Sequence, residues 1–180
     1  MKHLLYFIAF LSLNIYSQEK YLTRSGKVNF EASVPSFEEV KAENNSTTAI
    51  LNTANGEFAA LVLVKGFRFK NALMEEHFNE NYAESDKFPK ASFKGTIINF
   101  SVDKLNNEKT FKINGELTFH GKTKMFENIA VDLKKDGEMI NMTGNFKTEA
   151  SEFDIKIPKI VSKKIAETID VQFDFNLKKK

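Results

Sequence analysis

The sequence predicts an all-β protein: about eight antiparallel strands in a meander or closed barrel, with one short helix inserted between strands. Most of the chain alternates apolar and polar residues with period two, as a strand with one buried face does. Turn dipeptides separate the alternating runs. The 180 residues also include 18 Phe and 4 Tyr but no Trp and no Cys, so a wide apolar interior is built without disulfides.

In chain order, the first residues stand apart. Lys2 and His3 precede an apolar run, Leu4 to Leu13, which is shorter than the ~20 residues of a membrane helix. A charged start, a short apolar stretch and a small residue at Ser17 are the layout of a secretory signal peptide. Residues 1–17 are therefore read as a signal peptide and 18–180 as one domain, periplasmic or secreted, with no stable membrane insertion. Charge is close to balanced, 26 Lys plus Arg against 24 Asp plus Glu. That balance gives no reason to expect nucleic acid or an anionic membrane as partner.

The strands follow. KVNFEASV sets Val28, Phe30 and Ala32 on one face. TTAILNT and EFAALVLV are joined by Asn55-Gly56, and EFAALVLV is apolar on both parities, as a strand buried on both sides or covered by the helix would be. INFSVDKL is separated by Asn106-Asn107 from FKINGELTF, which places Phe111, Ile113, Leu117 and Phe119 on one parity. Gly115 shares that parity, where it marks a bend or a close approach to a ligand. His120-Gly121 and Asp136-Gly137 punctuate the runs IAVDL and MINMTGNFK, and VQFDFNL closes the set. Between Ala150 and Thr168, Ile157-Pro158 breaks a strand and Ile160, Lys164 and Glu167 suit a short helical turn.

One segment departs from period two. In NALMEEHFNENY, Leu73, Met74, His77, Phe78 and Tyr82 recur at helical spacing, with Asn71 as N-cap and Glu75 and Glu76 near the positive end of the helix dipole. A helix of about ten residues is marginal alone, so it needs apolar surface from the sheet.

Chemistry is sparse. With no Cys, no G-x-S-x-G elbow and no H-E-x-x-H, neither a nucleophile nor a metal set is singled out, and no cofactor is implied. His77 and His120 read as edge residues that hydrogen-bond nearby loops. A metal-assisted hydrolase using the two is the rival, and a ligand-free structural envelope module is another. A closed eight-stranded sheet either fills its lumen with side chains or holds one small ligand. Composition leaves both open, as it leaves open a homodimer.

ALMEEHFNENYAESDKFPKASFKGTI resembles the bacterial YceI family, through Met74, His77, Phe88, Pro89, Phe93 and Gly95. GELTFHGKTK is similar to a second family segment, through Gly115, Leu117, Thr118, His120, Gly121, Thr123 and Lys124. TRSGKVNFEAS lacks the Trp and His that often open that family's first strand. The resemblance implies an extended lipocalin-like eight-stranded antiparallel barrel, exported, holding a long apolar or amphipathic ligand such as a polyisoprenoid, an isoprenoid quinone or a fatty-acid-like chain. The candidate wall residues are then Phe30, Leu61, Leu63, Phe69, Phe93, Ile97, Phe111, Ile113, Leu117, Phe119, Phe146, Phe173 and Phe175. Leu73, Met74, His77 and Phe78 of the helix join them at the lumen or its rim.

Overall fold

The computed structural model describes residues 19–180, so the signal segment read from the sequence lies outside the described residues. One antiparallel sheet contains β1 (Lys20–Ser33), β2 (Lys41–Asn52), β3 (Glu57–Leu63), the two-residue β4 (Arg68–Phe69), β5 (Lys90–Ile97), β6 (Thr110–Phe119), β7 (Lys122–Asp136), β8 (Met139–Glu149) and β9 (Ile165–Lys179). The long strands run β1-β9-β8-β7-β6-β5-β3-β2, and β1 pairs back onto β2, which closes eight strands into a barrel. Closure leaves none of the eight long strands as a free sheet edge; the two-residue β4 pairs on one side only, with β2. The helix α1 (Ala72–His77) runs on into a π-helical turn, Phe78–Tyr82, in the long connection from β3 to β5.

The hairpins follow their turn chemistry. Gly56 has φ 75° and donates its N–H to the Asn52 carbonyl at 2.9 Å. His120 and Gly121 both have positive φ, 48° and 73°, which suits a two-residue hairpin whose twist matches its strands. Bulges shift the inward parity where alternation breaks. In β1 it passes from Tyr21 and Thr23 to Gly26 between two register shifts. In β7 it passes from Phe126 to Ile129, with Asn128 left-handed and its N–H on Asn114 Oδ1 at 2.7 Å.

The many rings fit because glycines receive them. A Cβ at Gly144 would lie 2.5 Å from Cζ of Phe173, its partner across the ladder. A Cβ at Gly115 would lie 2.5 Å from Cζ of Phe93 and 2.8 Å from Cα of Gly95. The close approach expected at Gly115 is thus to a ring of the protein itself.

Two expectations about elements are corrected and a third is met in part. The run INFSVDKL is not a strand. β5 stops at Ile97, Asn99 is left-handed, and Val102–Asn106 form a 3-10 turn that sets Phe100 and Leu105 across one end of the barrel. The short turn expected around Ile160 and Lys164 is present, after a 3-10 turn at Ala150–Phe153, but does not reach Glu167: the Val161 N–H bonds the Pro158 carbonyl at 3.0 Å, the Lys164 and Ile165 N–H groups bond the Val161 carbonyl at 2.8 and 3.2 Å, and Glu167 lies in β9. β3 is neither buried on both sides nor covered: Phe58 and Val62 are buried, while Leu61 and Leu63 are 39% and 51% exposed.

Candidate functional site

The two ends of the barrel differ. At one end, Tyr21, Leu51, Ile97, Phe111, Val131, Leu133, Ile140 and Leu177 form a packed core, and Phe100 and Leu105 close it. At the other end lies an apolar cavity of about 460 Å³ that opens to solvent. That volume falls in the ~300–1,000 Å³ range of small-molecule sites.

Four rings make the floor. Phe58 lies 6.3 Å from Phe93 and 5.7 Å from Phe175, and Phe175 stacks on Phe173 at 5.3 Å. Ile113, Ile129 and Met142 complete it. A second ring cluster makes the wall beside α1. Phe78 sits 5.3 Å from Phe30, 5.8 Å from Phe67 and 5.2 Å from Phe69, in edge-on and tilted contacts. Small residues, Ala32, Ala60, Ala91 and Ser92, face the space between. Phe119, leaning edge-on against Phe153 at 5.8 Å, and Phe146 supply the far side.

The connection carrying α1 reaches the open end because β3 finishes and β5 begins there. β4 pairs with the start of β2, Ala42 against Phe69. The Asn71 side chain caps α1 by accepting from the Leu73 N–H at 2.9 Å. Glu75 accepts from Arg68 Nη1 at 2.9 Å and from the Phe69 N–H at 3.1 Å, tying the helix to β4. Met74, His77, Phe78 and Tyr82 are thereby presented to the cavity. Burial pushes the Tyr82 phenol pKa up.

His120 is used elsewhere. One ring nitrogen lies 2.9 Å from the Phe153 carbonyl, the other 2.7 Å from Glu84 Oε2, and Phe88 meets the ring at 4.5 Å. It holds together the segment after α1, the β6–β7 turn and the Ala150–Phe153 turn. Glu152 secures that last turn. Lys124, above all, with the Glu149 N–H and the Thr148 hydroxyl, holds the Glu152 carboxyl down to about 2 from an ordinary 4.5. Among the described residues no three His, Cys, Asp or Glu side chains cluster to hold a metal ion.

Of the wall residues expected from sequence, twelve line this space: Phe30, Phe69, Met74, His77, Phe78, Phe93, Ile113, Leu117, Phe119, Phe146, Phe173 and Phe175. Five do not. Leu61 and Leu63 point outward, because Ala60 and Val62 take the inward parity of β3. Leu73 is 56% exposed on the outer face of α1. Ile97 and Phe111 face inward but sit in the packed end, below the floor. Sequence reasoning missed the lip that precedes β9, where Ile155, Ile157, Val161 and Ile165 line the cavity. The available signal was a segment, IKIPKIV, too apolar for a fully solvated loop.

Known proteins place this geometry. The YceI-like domain family matches residues 21–177. No curated protein sequence matches significantly. Among solved structures, a polyisoprenoid binding domain from Saccharophagus degradans superposes with TM-score 0.76 at 11% identity, over 91% of this chain and 100% of that one. BcnA of Burkholderia cenocepacia gives 0.70 at 15%, over 84% and 95%. A YceI protein of Campylobacter jejuni gives 0.60 at 14%, over 79% and 88%. At such identities the structural likeness is one of fold. With the family match spanning nearly all of the barrel, this chain belongs to the YceI-like domain family.

Proposed function

We propose that the protein is an exported binding protein, periplasmic or secreted, that holds one long apolar or amphipathic chain, of the polyisoprenoid, isoprenoid quinone or fatty-acid class. The observation that carries this reading is the Phe-walled cavity of about 460 Å³ in the open half of the barrel. Its lining is almost wholly hydrocarbon and aromatic, so the hydrophobic effect drives entry. Each buried methylene contributes about 0.8 kcal/mol, and about ten of them reach the scale of the association cost. The structural relative described as a polyisoprenoid binding domain supports the same ligand class. The hydrolase reading draws no support from His120, whose two ring nitrogens are engaged by Glu84 and the Phe153 carbonyl.

The test is to extract the purified protein with organic solvent, identify the released mass, and titrate the emptied protein with a long-chain isoprenoid. One bound chain per protein is expected. Ala60→Phe, which fills the lumen, is expected to abolish uptake while leaving the thermal transition within a few degrees. A wild-type protein that releases nothing and takes up no chain would sink the proposal.

A further inference from the structure

The lip between the Ala150–Phe153 turn and β9 differs in composition from the rest of the barrel. From Ile155 to Ala166 it holds Lys156, Lys159, Lys163 and Lys164 and no Asp or Glu. Ile157 and Val161 line the cavity, yet Ile160 between them is 88% exposed. Lys156, Lys159 and Lys163 are exposed as well. Among the described residues, none of the four lysines is in an ion pair. The nearest acids in sequence are Asp154, which faces Lys122 at 3.6 Å, and Glu167, beyond the lip. The acids of the β1–β2 loop are Glu38 and Glu39, and Glu38 accepts from Asn71 at 3.3 Å. That loop also offers Phe37, which lines the cavity and is 47% exposed.

A single exposed apolar side chain is ordinary on a soluble protein. Here the exposed isoleucine is flanked on both sides by unpaired cations, on the segment that forms the rim of an apolar cavity. Apolar insertion combined with clustered Lys is the chemistry of interfacial binding to an anionic leaflet. We propose that this lip docks the mouth of the barrel onto an anionic lipid bilayer, with Ile160 entering the acyl boundary and Lys156, Lys159 and Lys163 meeting lipid phosphates. The near-balance of the whole chain conceals this, because the excess positive charge is local. Docking needs no ligand in the cavity, so it goes beyond the carrier reading. It also supplies a path by which an apolar chain moves between bilayer and lumen without crossing water.

The test is flotation of the full chain with vesicles of phosphatidylcholine containing phosphatidylglycerol, against vesicles of phosphatidylcholine alone. Preference for the anionic vesicles is expected, weakening as salt rises. Each lysine near an anionic surface contributes about fivefold in partition, so Lys156→Gln/Lys159→Gln/Lys163→Gln is expected to lose at least roughly tenfold. Ile160→Ser is expected to lose several-fold, with the melting temperature of both variants unchanged. Equal partition onto both vesicle types, no flotation, or a triple variant that floats like wild type would each overturn the proposal. Uptake of a long-chain isoprenoid in vesicle-free buffer is read in parallel. Its loss with vesicle binding intact counts against the carrier reading alone, and the reverse result counts against docking alone.

Discussion

At the packed end of the barrel, Leu51, Ile97, Val131, Leu133, Ile140 and Leu177 meet across the lumen, and Phe100 and Leu105 seal it. At the open end the inward positions include Ala32, Ala60 and Ala91, and neighbouring rings lie against one another. Both ends obey the same inward alternation. They differ in side-chain volume and in what the connecting segment does. The 3-10 turn after β5 folds across its end, whereas α1 and the lip before β9 stand beside theirs. A hollow half is tolerable because the other half supplies a close-packed, fully buried core.

The largest effect that tests this contrast is truncation at each end. Leu133→Ala removes a fully buried side chain and is expected to cost about 2–5 kcal/mol in denaturant unfolding. Phe119→Ala at the cavity wall already faces open space, so it leaves little new void. A cost near that of Leu133→Ala would mean that the cavity is not open in solution.

The two histidines give the next contrast. His120→Gln removes the contacts to the Phe153 carbonyl and to the half-exposed Glu84 carboxylate, and is expected to cost about 1 kcal/mol. His77→Gln, on the exposed rim, is expected to be close to neutral in stability and to change only chain uptake. Equal melting temperatures for the two variants would remove the structural role assigned to His120.

The smallest effect lies at the turn that carries Phe153. The Glu152 carboxyl is held near 2 in the fold, below its ordinary 4.5, so its charged form stabilises the native state. That contribution is complete above about pH 4.5 and disappears as pH falls through about 2. Glu152→Gln is expected to lose about 0.5–1 kcal/mol at neutral pH, typical of a partly exposed ion pair. Unfolding curves taken from pH 7 to pH 2 are expected to converge. A gap that persists at pH 2 would remove Lys124 as the cause.

The alternating runs KVNFEASV and FKINGELTF, the dipeptides Asn55-Gly56 and Asp136-Gly137, and the Asn71 cap were sufficient to predict strands, turns and the single helix, because each depends on local backbone and side-chain chemistry. Phe30, Ile113, Leu117, Phe119, Phe146, Phe173 and Phe175 could be put on the cavity side for the same reason: period two assigns a face. It does not assign a height along the barrel, and so it cannot separate Phe111 and Ile97 in the packed end from Leu117 and Phe119 at the cavity. Nor does it act where both parities are apolar, as in EFAALVLV; there, pairing of β3 with β2 and β5 chose Ala60 and Val62. The lip carrying Ile157 and Val161 has no period at all, and its place at the mouth follows from where β8 ends and β9 begins. Whether a lumen is filled or hollow depends on eight strands contributing volume at one level, which is a property of register and closure rather than of any one segment.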